Sequence, residues 1–489
     1  MLLLGGFIGV IITLLLAPRS GKETRAQLKE KGLRLARRQD NKNTHLKRVS
    51  NWGNYPEVQV EFYEFEDVET LRRLLLQSDK VIPRGNGRCY GDSALAPRVI
   101  SSLRYNKFLA FDKEKGILRC QAGVLLSEIL EVVVPAGWFL SATPGTKLIT
   151  VGGAIASNVH GKSQHKTGNF CDYVLELELM LGDGAIVKCS PHENAELFWT
   201  TCGGMGLTGY ILNATLQLRP VETAYIRQES IKAKNLDHLM DLFEESEHWT
   251  YSVAWIDCLS KGKQMGRGKL WRGEHATLAD LKTAAQRRNP LKIKPALKLN
   301  IPITFPDFAL NQWTVKLFNM LLYWKEPARP VKSIVDYNKF FYPLDEIANW
   351  NRIYGRRGFT QYQFILPKEK SRAGLKHILE KIAEKGMGSF LAVLKLYGEQ
   401  KGYLPFAMDG YALALDFPIK PGLFEFLDEL DEIVLAYGGR LYLSKDVRMK
   451  QPMFMQSYPN VEHFIENLKS FNHGAKFRSF QSDRVGITG

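Results

Sequence analysis

The sequence predicts an α+β fold in two domains, and three observations lead there. A chain of 489 residues, at roughly 100 to 200 residues per domain, has room for two or three domains with a sizeable core. From Ser50 to about Pro220, short β-rich runs (VEFYEF, VISSL, ILRCQAG, YVLELELML, AIVKC) alternate with glycine-rich turns and short helical patterns such as Val68 to Gln77. Between about Val221 and Tyr437 the texture changes. Strand runs (YSVAWIDCL, YQFILP, FLAVLKLY, YALALDFPI) are now separated by helical stretches, Leu236 to Glu247, Ser371 to Lys385 and Leu423 to Tyr437. After Gly438-Gly439 the chain continues as RLYLSKDVRM and a short helical tail, with Arg440 to Ser444 strand-like. The expected organisation is therefore one domain over 48–222 and 438–489, and a second over 223–437.

Composition narrows the function classes. With 45% hydrophobic and 24% charged residues, disorder, collagen-like structure and a polytopic membrane protein are excluded. The six cysteines (Cys89, Cys120, Cys171, Cys189, Cys202, Cys258) contain no C-x-x-C pair, which speaks against a zinc ribbon, any other metal site or a redox dithiol, and for reduced thiols. The net charge of +15 is concentrated in two places: Arg19 to Arg48 carries +8 and Lys261 to Lys298 carries +9. A nucleic-acid-binding enzyme would spread such charge over its folded surface, whereas two basic segments suit an anionic membrane face or solvated linkers.

Residues Met1 to Ala17 (MLLLGGFIGVIITLLLA) carry no charge and precede Pro18-Arg19, so this run sits at the short edge of the roughly 17 to 25 residues that cross a bilayer. Basic residues follow the apolar stretch rather than lead it. That order marks a membrane-anchor candidate at 1–17 with a basic juxtamembrane segment at 18–47, leaving the body of the protein on the cytoplasmic side; a peripheral hairpin is the alternative. The basic stretch 261–306, which contains several prolines, is expected to be a mobile or membrane-facing loop of the second domain.

Three glycine-dense segments carry the chemistry. In PRGNGRCYGD, Arg84, Gly85, Asn86, Gly87, Arg88, Cys89 and Tyr90 follow the apolar end of a strand, and glycine lets successive backbone N–H groups converge on an anion. A structural turn is the alternative. In PGTKLITVGGAIASNVHGK, the small residues from Gly152 to Ser157 allow close packing against something flat, and His160 and Lys162 place polar tips beyond it. The third, CGGMGLTG at 202–209, precedes a strand. No β-α-β unit carries G-x-G-x-x-G with an acidic ribose ligand, so a Rossmann site is not supported, and a backbone-lined nucleotide site of another type is favoured.

The series PRGNGRCYGDSA, TPGT with VGGAIASNVHGK, LGDGAIVKCSP, ELFWTTCGGMGLTG and GGRLYLSKD resembles the vanillyl-alcohol-oxidase (PCMH-type) FAD-binding flavoproteins, and within them the decaprenylphosphoryl-ribose 2′-oxidase family. WTYSVAWIDCLS, NWNRIYGRRGFTQYQFILP, VLKLYG and LDFPIKPGL extend the match in order from about residue 48 to 450. The resemblance implies a two-part FAD-binding domain and a substrate domain on an antiparallel sheet. It implies a pyrophosphate loop at Arg84 to Tyr90; flavin contacts from Gly145, Thr146, Thr150, Gly152, Gly153, Ala156, His160, Ile211 and Tyr442; and a sugar-phosphate pocket from Tyr90, Lys162, Trp255, Gln363, Lys395 and Lys445. Arg88 stands where covalent relatives carry the histidine that tethers FAD, so the implied flavin is non-covalent. Ala412 and Ala414 stand where the best-known members carry Asn and Cys, and Phe341 where they carry a pocket Tyr.

The implied activity is oxidation of a secondary sugar hydroxyl, C2 of the ribose of a polyprenylphosphoryl-β-D-ribose, by hydride transfer to flavin. Lys445 is the expected base or hydroxyl activator, with Lys395 and His160 as the other catalytic candidates. A keto-sugar reductase would consume the product in cell-envelope glycan synthesis at the cytoplasmic face of a bacterial inner membrane. The alternatives are a soluble alditol or sugar-lactone oxidase of the same superfamily and a membrane-anchored, non-catalytic binding module.

Overall fold

The computed structural model describes residues 45–293 and 299–489. Residues 48–489 form one compact unit; a second unit, 1–47, lies outside the described residues as far as 44, and with it the expected anchor at 1–17 and most of the basic segment 18–47. Among the described residues no helix is long and apolar enough to cross a membrane.

Residues 48–489 contain mixed helices and sheets, the α+β class expected. Near the start, Arg98–Ser101 lies between Val58–Glu64 and Ile82–Arg84, parallel to both. The helix Val68–Leu76, capped by the Asp67 carboxylate accepting from Thr70 N at 2.8 Å, buries Leu71 and Leu75. A six-stranded sheet follows. Its antiparallel order is Phe108–Asp112, Ile117–Gln121, Tyr210–Pro220, Val174–Met180, Ile186–Cys189, and Trp138–Leu140 pairs with the end of the long third strand. Leu118, Leu177, Leu179, Ala214 and Leu216 from this sheet share one core with Leu126, Ile129, Leu130 and Val133 of the helix Leu126–Val133.

The third sheet has eight strands in the order Val331–Asp336, Tyr225–Ala233, Gly268–His275, Tyr251–Ile256, Ala392–Tyr397, Gly410–Pro418, Phe359–Pro367, Arg440–Leu441. Every neighbouring pair is antiparallel. Because side chains alternate along a strand, one set faces the helices Leu236–Glu245, Lys368–Lys385 and Leu423–Ala436: Tyr411 meets Phe243, Tyr362 donates to Asp431, and Leu366 abuts Gly374. The opposite set is polar in its middle. Gln361, Gln363, Ala412, Ala414, Asp416 and Lys395 all belong to it by register.

Two expectations need correction. The basic stretch 261–306 is not one loop, because Gly268–His275 within it is an interior strand paired on both sides. Three of its cations are held by acids outside the stretch: Lys269 by Glu326, Arg272 by Glu229 at 2.6 Å, and Arg267, just before the strand, by Asp257 at 3.0 Å. Second, Arg440 to Ser444 is a strand only over Arg440–Leu441; Leu443–Lys445 is a 3₁₀ turn. After that turn the chain packs against the first part of the fold, Val81 bridging Phe477 and Arg484 meeting Asp92 at 2.7 Å.

Candidate active site

The three glycine-dense segments converge. Gly87 has φ +59, the left-handed region that favours glycine, and a Cβ on Gly85 would come within 2.2 Å of Thr150 Oγ1, so the first loop lies hard against the second. Asn86 adds a bond from its amide to Leu148 O at 2.7 Å. Thr150 caps the short helix Val151–Ala156 by accepting from Gly153 N, and Gly152 approaches Ala122 closely. The third segment backs that helix, with Gly203 N donating to Ile155 O at 3.0 Å and Met205 N to Ala156 O at 2.9 Å. Ile211, buried in the adjoining long strand, closes the wall behind.

Arg84 does a different task from the rest of its loop. Its guanidinium is spent on Asn51, on Ser50 O at 2.8 Å and on Ala94 O at 3.3 Å, so it pins the loop from behind. Arg88 instead lies over the Trp52 ring at 4.2 Å, where burial lowers its pKa while Asp345 pulls it back up. Asp345 also accepts from Thr146 Oγ1 at 2.7 Å and Lys147 N at 2.8 Å, which fixes the turn that holds Gly145. Burial keeps the Cys89 thiol protonated.

Opposite these loops stands the polar face of the eight-stranded sheet. His160 Nε2 and Gln363 Nε2 are 3.1 Å apart, and the imidazole is enclosed by Tyr397, Phe406 and Tyr442 with ring centroids 4.7 to 5.3 Å away. Tyr442 ties the two halves together, its OH donating to Ser157 O at 2.9 Å and its N–H to Gln363 O at 2.9 Å. Tyr90 N donates to Ser444 O at 3.1 Å, and the Lys445 ammonium lies 4.0 Å from the Tyr90 ring centre. Lys162 donates to Phe340 O and lies over the Phe340 ring at 4.3 Å.

Electrostatically, His160, Lys162, Lys395, Lys445 and Asp416 form one group. Burial, then Lys395 and Lys445, hold His160 well below its usual pKa, so it is neutral. Burial pushes Lys395 down to about 8 and Lys445 to about 8, Asp416 opposing the shift of Lys445. Lys162 falls to about 7 through burial and Lys395. Asp416 rises to about 6 by burial, opposed by donors Gln361 Nε2 at 2.6 Å and Tyr354 OH at 2.9 Å. Three buried lysines against one carboxylate give this group a charge balance suited to an anion, and pKa values of about 7 to 8 leave part of each amine neutral at ordinary pH.

The structure thus brings together Tyr90, His160, Lys162, Gln363, Lys395, Tyr442 and Lys445. Trp255 lies in the same cross-strand row as Gln363, but Ala414 and Val393 stand between them, and its indole N–H donates to Phe390 O at 3.0 Å. Phe341 packs among Phe139, Tyr251 and His275 and borders the site through Lys162, whose ammonium lies 5.9 Å from its ring centre. Ala412 pairs with Lys395 and Ala414 with Gln363, so both alanines leave room beside functional side chains. Asp416 and Asp345 were not anticipated from sequence. An acid ending the apolar alternation GYALALDFP was the available signal for Asp416, whereas Asp345, among charged loop residues, offered none.

The site fits a planar cofactor. A Cβ on Gly145 would meet nothing within 4 Å, and His160 Nδ1 is buried without a hydrogen-bond partner. Comparison with known proteins agrees: the FAD binding domain family matches residues 56–190. Decaprenylphosphoryl-β-D-ribose oxidase of Mycolicibacterium smegmatis is 35% identical over 91% of this chain and 98% of its own length. An uncharacterized Streptomyces coelicolor protein is 32% identical over 74% of this chain and 100% of its own. L-gulonolactone oxidase of Mus musculus is 30% identical, but over 42% of this chain and 47% of its own. An FAD-fitting cradle beside three buried lysines, together with near full-length likeness to the first of these, means that this chain belongs to the decaprenylphosphoryl-β-D-ribose oxidase family of FAD-dependent oxidoreductases.

Proposed function

We propose that the chain oxidises the C2 hydroxyl of the ribose in a polyprenylphosphoryl-β-D-ribose to a ketone. The observation that carries this reading is the convergence of Lys162, Lys395 and Lys445 beside His160 and Gln363, against the glycine-rich cradle. Bound FAD, held without a covalent link by the Gly85–Tyr90 loop and the Gly145–His160 segment, supplies the hydride acceptor. Neutral His160, with Nε2 beside Gln363, presents Nδ1 as its remaining polar atom. Lys162, held over Phe340, is the phosphate partner, and an anion there raises its pKa and keeps it charged. Lys445, with a pKa near 8, accepts the hydroxyl proton. Tyr90 beneath its ammonium and Asp416 nearby hold it in place.

Ala412 and Ala414 make the pocket roomier and less polar beside Lys395 and Gln363, so discrimination between sugars falls on the lysines and Gln363. The enzyme works at the cytoplasmic face of a bacterial inner membrane, held there by residues 1–47, and a keto-sugar reductase takes the product. The test is anaerobic bleaching of the flavin absorbance with polyprenyl-phosphoryl sugars beside free alditols and sugar lactones. Bleaching by the polyprenylphosphoryl ribose supports the reading. Bleaching by alditols or lactones alone replaces it with the soluble-substrate reading, and a colourless preparation would replace both with a binding module.

A further inference from the structure

Of the nine tryptophans, Trp313 and Trp324 are the exposed ones, at 76% and 64%, and both lie on the helix Gln312–Lys325. That helix is docked by its inner face. Val315, Phe318 and Asn319 are buried; Phe318 meets Phe390 at 5.5 Å and Asn319 donates to Asp257 Oδ1 at 3.0 Å. Its outer face is apolar: Leu317 is 48% and Leu321 42% exposed. With about 3.6 residues per turn, Trp313, Leu317, Met320, Leu321 and Trp324 fall in an arc of about 100°, with Lys316 flanking one side and Lys325 the other. Phe308, 72% exposed, extends the patch from the preceding loop.

A water-facing helix gains nothing from two tryptophans and two leucines on its outer side. The charge around the patch says what covers it. From Phe308 to Val335 the cations are Lys316, Lys325, Arg329 and Lys332, and the one acid, Glu326, is buried against Lys269. A second protein surface would need acids and apolar groups in matching places; an anionic bilayer offers both without register. Tryptophans at the two ends, leucines between and lysines along the edges match a helix lying in the headgroup layer, with lysine stems reaching to phosphates.

We propose that the helix Gln312–Lys325 is an interfacial docking element that lays its Trp313–Leu317–Leu321–Trp324 face into an anionic lipid surface. It acts independently of residues 1–47 and of the flavin chemistry. Its buried face, through Phe318 and Phe390, adjoins the carbonyl that holds Trp255. Docking therefore presents that end of the substrate-facing sheet to the membrane.

The test uses the full chain with its FAD and tryptophan fluorescence quenched by vesicles of brominated phosphatidylglycerol or brominated phosphatidylcholine. Residues 1–47 contain no tryptophan, so their insertion is silent. Anionic vesicles should quench roughly a fifth of the emission, the share of two indoles in nine. The quenching should fall with added salt and vanish in W313F/W324F. FAD content and flavin bleaching by a soluble short-chain substrate report whether the variant remains folded, apart from lipid binding. Quenching unchanged in the variant, or absent in the wild type, overturns the proposal, as does equal quenching by phosphatidylcholine. A dimer in sedimentation velocity that dissociates in L317E/L321E, without lipid quenching, assigns the patch to a second copy instead.

Discussion

Replacing Lys445 with methionine removes an amine and leaves a side chain of similar length between Tyr90 and Asp416. The wild-type ammonium lies 4.0 Å from the Tyr90 ring centre, with a pKa near 8 because burial outweighs the pull of Asp416. At pH 7 roughly a tenth of a lysine with that pKa is neutral, and at pH 9 roughly nine tenths. A base of this kind makes flavin reduction rise about tenfold between those values and then level off. Proton transfer by a placed side chain is worth about 100 to 10,000-fold, so Lys445→Met should slow single-turnover bleaching by that range and flatten the pH profile. Stopped-flow absorbance under anaerobic conditions reads both. Asp416→Asn, which removes the group opposing the fall in the Lys445 pKa, should move the rise to lower pH. Lys162→Met should weaken substrate binding more than it slows chemistry. A Lys445→Met enzyme that binds FAD and bleaches near the wild-type rate refutes the assignment, which then passes to Lys395 or His160.

Four further outcomes follow from other parts of the structure. Acid precipitation should release the flavin into the supernatant if, as the family resemblance implies, Arg88 stands where covalent relatives carry a tethering histidine; colour in the pellet would contradict this. Gly145→Leu should fold, since nothing stands within 4 Å of its Cβ, yet purify with little FAD by absorbance because the side chain takes the cofactor's room. Arg484 bonds both Asp92 and Asp446, at 2.7 and 2.9 Å. Arg484→Met removes the cation shared by those two buried carboxylates, Asp446 keeping its bonds from Arg448 N, Met449 N and Gln481 Nε2, and should cost up to about 3 to 5 kcal/mol in denaturant unfolding. That deficit should shrink as pH falls and the freed acids, their pKa values raised without the cation, become protonated. Deleting residues 1–48 should move the enzyme from the membrane pellet toward the supernatant in cell fractionation with FAD retained, residual binding being the share of the Gln312–Lys325 helix.

What the sequence disclosed and what it hid have physical reasons. Glycine-rich loops are legible because a positive φ at Gly87 and a 2.2 Å approach at Gly85 each exclude other residues, so the requirement is written locally. Strands such as Phe359–Pro367 and Gly410–Pro418 are legible because apolar runs fit a sheet covered on both faces. Gly268–His275 was hidden because Lys269 and Arg272 look like linker charges until Glu326 and Glu229 are brought beside them. The partners of Lys445 were hidden for the same reason. Tyr90 is far away in the chain, and whether Asp416 turns toward the lysines or the helices depends on strand register, which a one-residue slip would reverse. The exposed face of Gln312–Lys325 was hidden because apolar residues lie around most of the helix, and only its packing through Val315 and Phe318 shows which of them stay uncovered.

The return of the chain through Arg440–Leu441 to Lys445 has a bearing on biosynthesis. Tyr442 and Ser444 supply bonds to Ser157, Gln363 and Tyr90, and Phe477 and Arg484 grip Val81 and Asp92 from nearly four hundred residues downstream. Translation delivers the cradle loops first and these fastenings last. While ribosomes are still adding the middle sheet, the Gly85–Tyr90 loop lacks its fastening from Tyr90 N to Ser444 O, and Gln363 lacks Tyr442 on its outer edge. Cofactor capture is therefore a late event, following release of the last fifty or so residues. A stop codon anywhere in that stretch should yield a colourless, protease-sensitive polypeptide rather than a weakened enzyme.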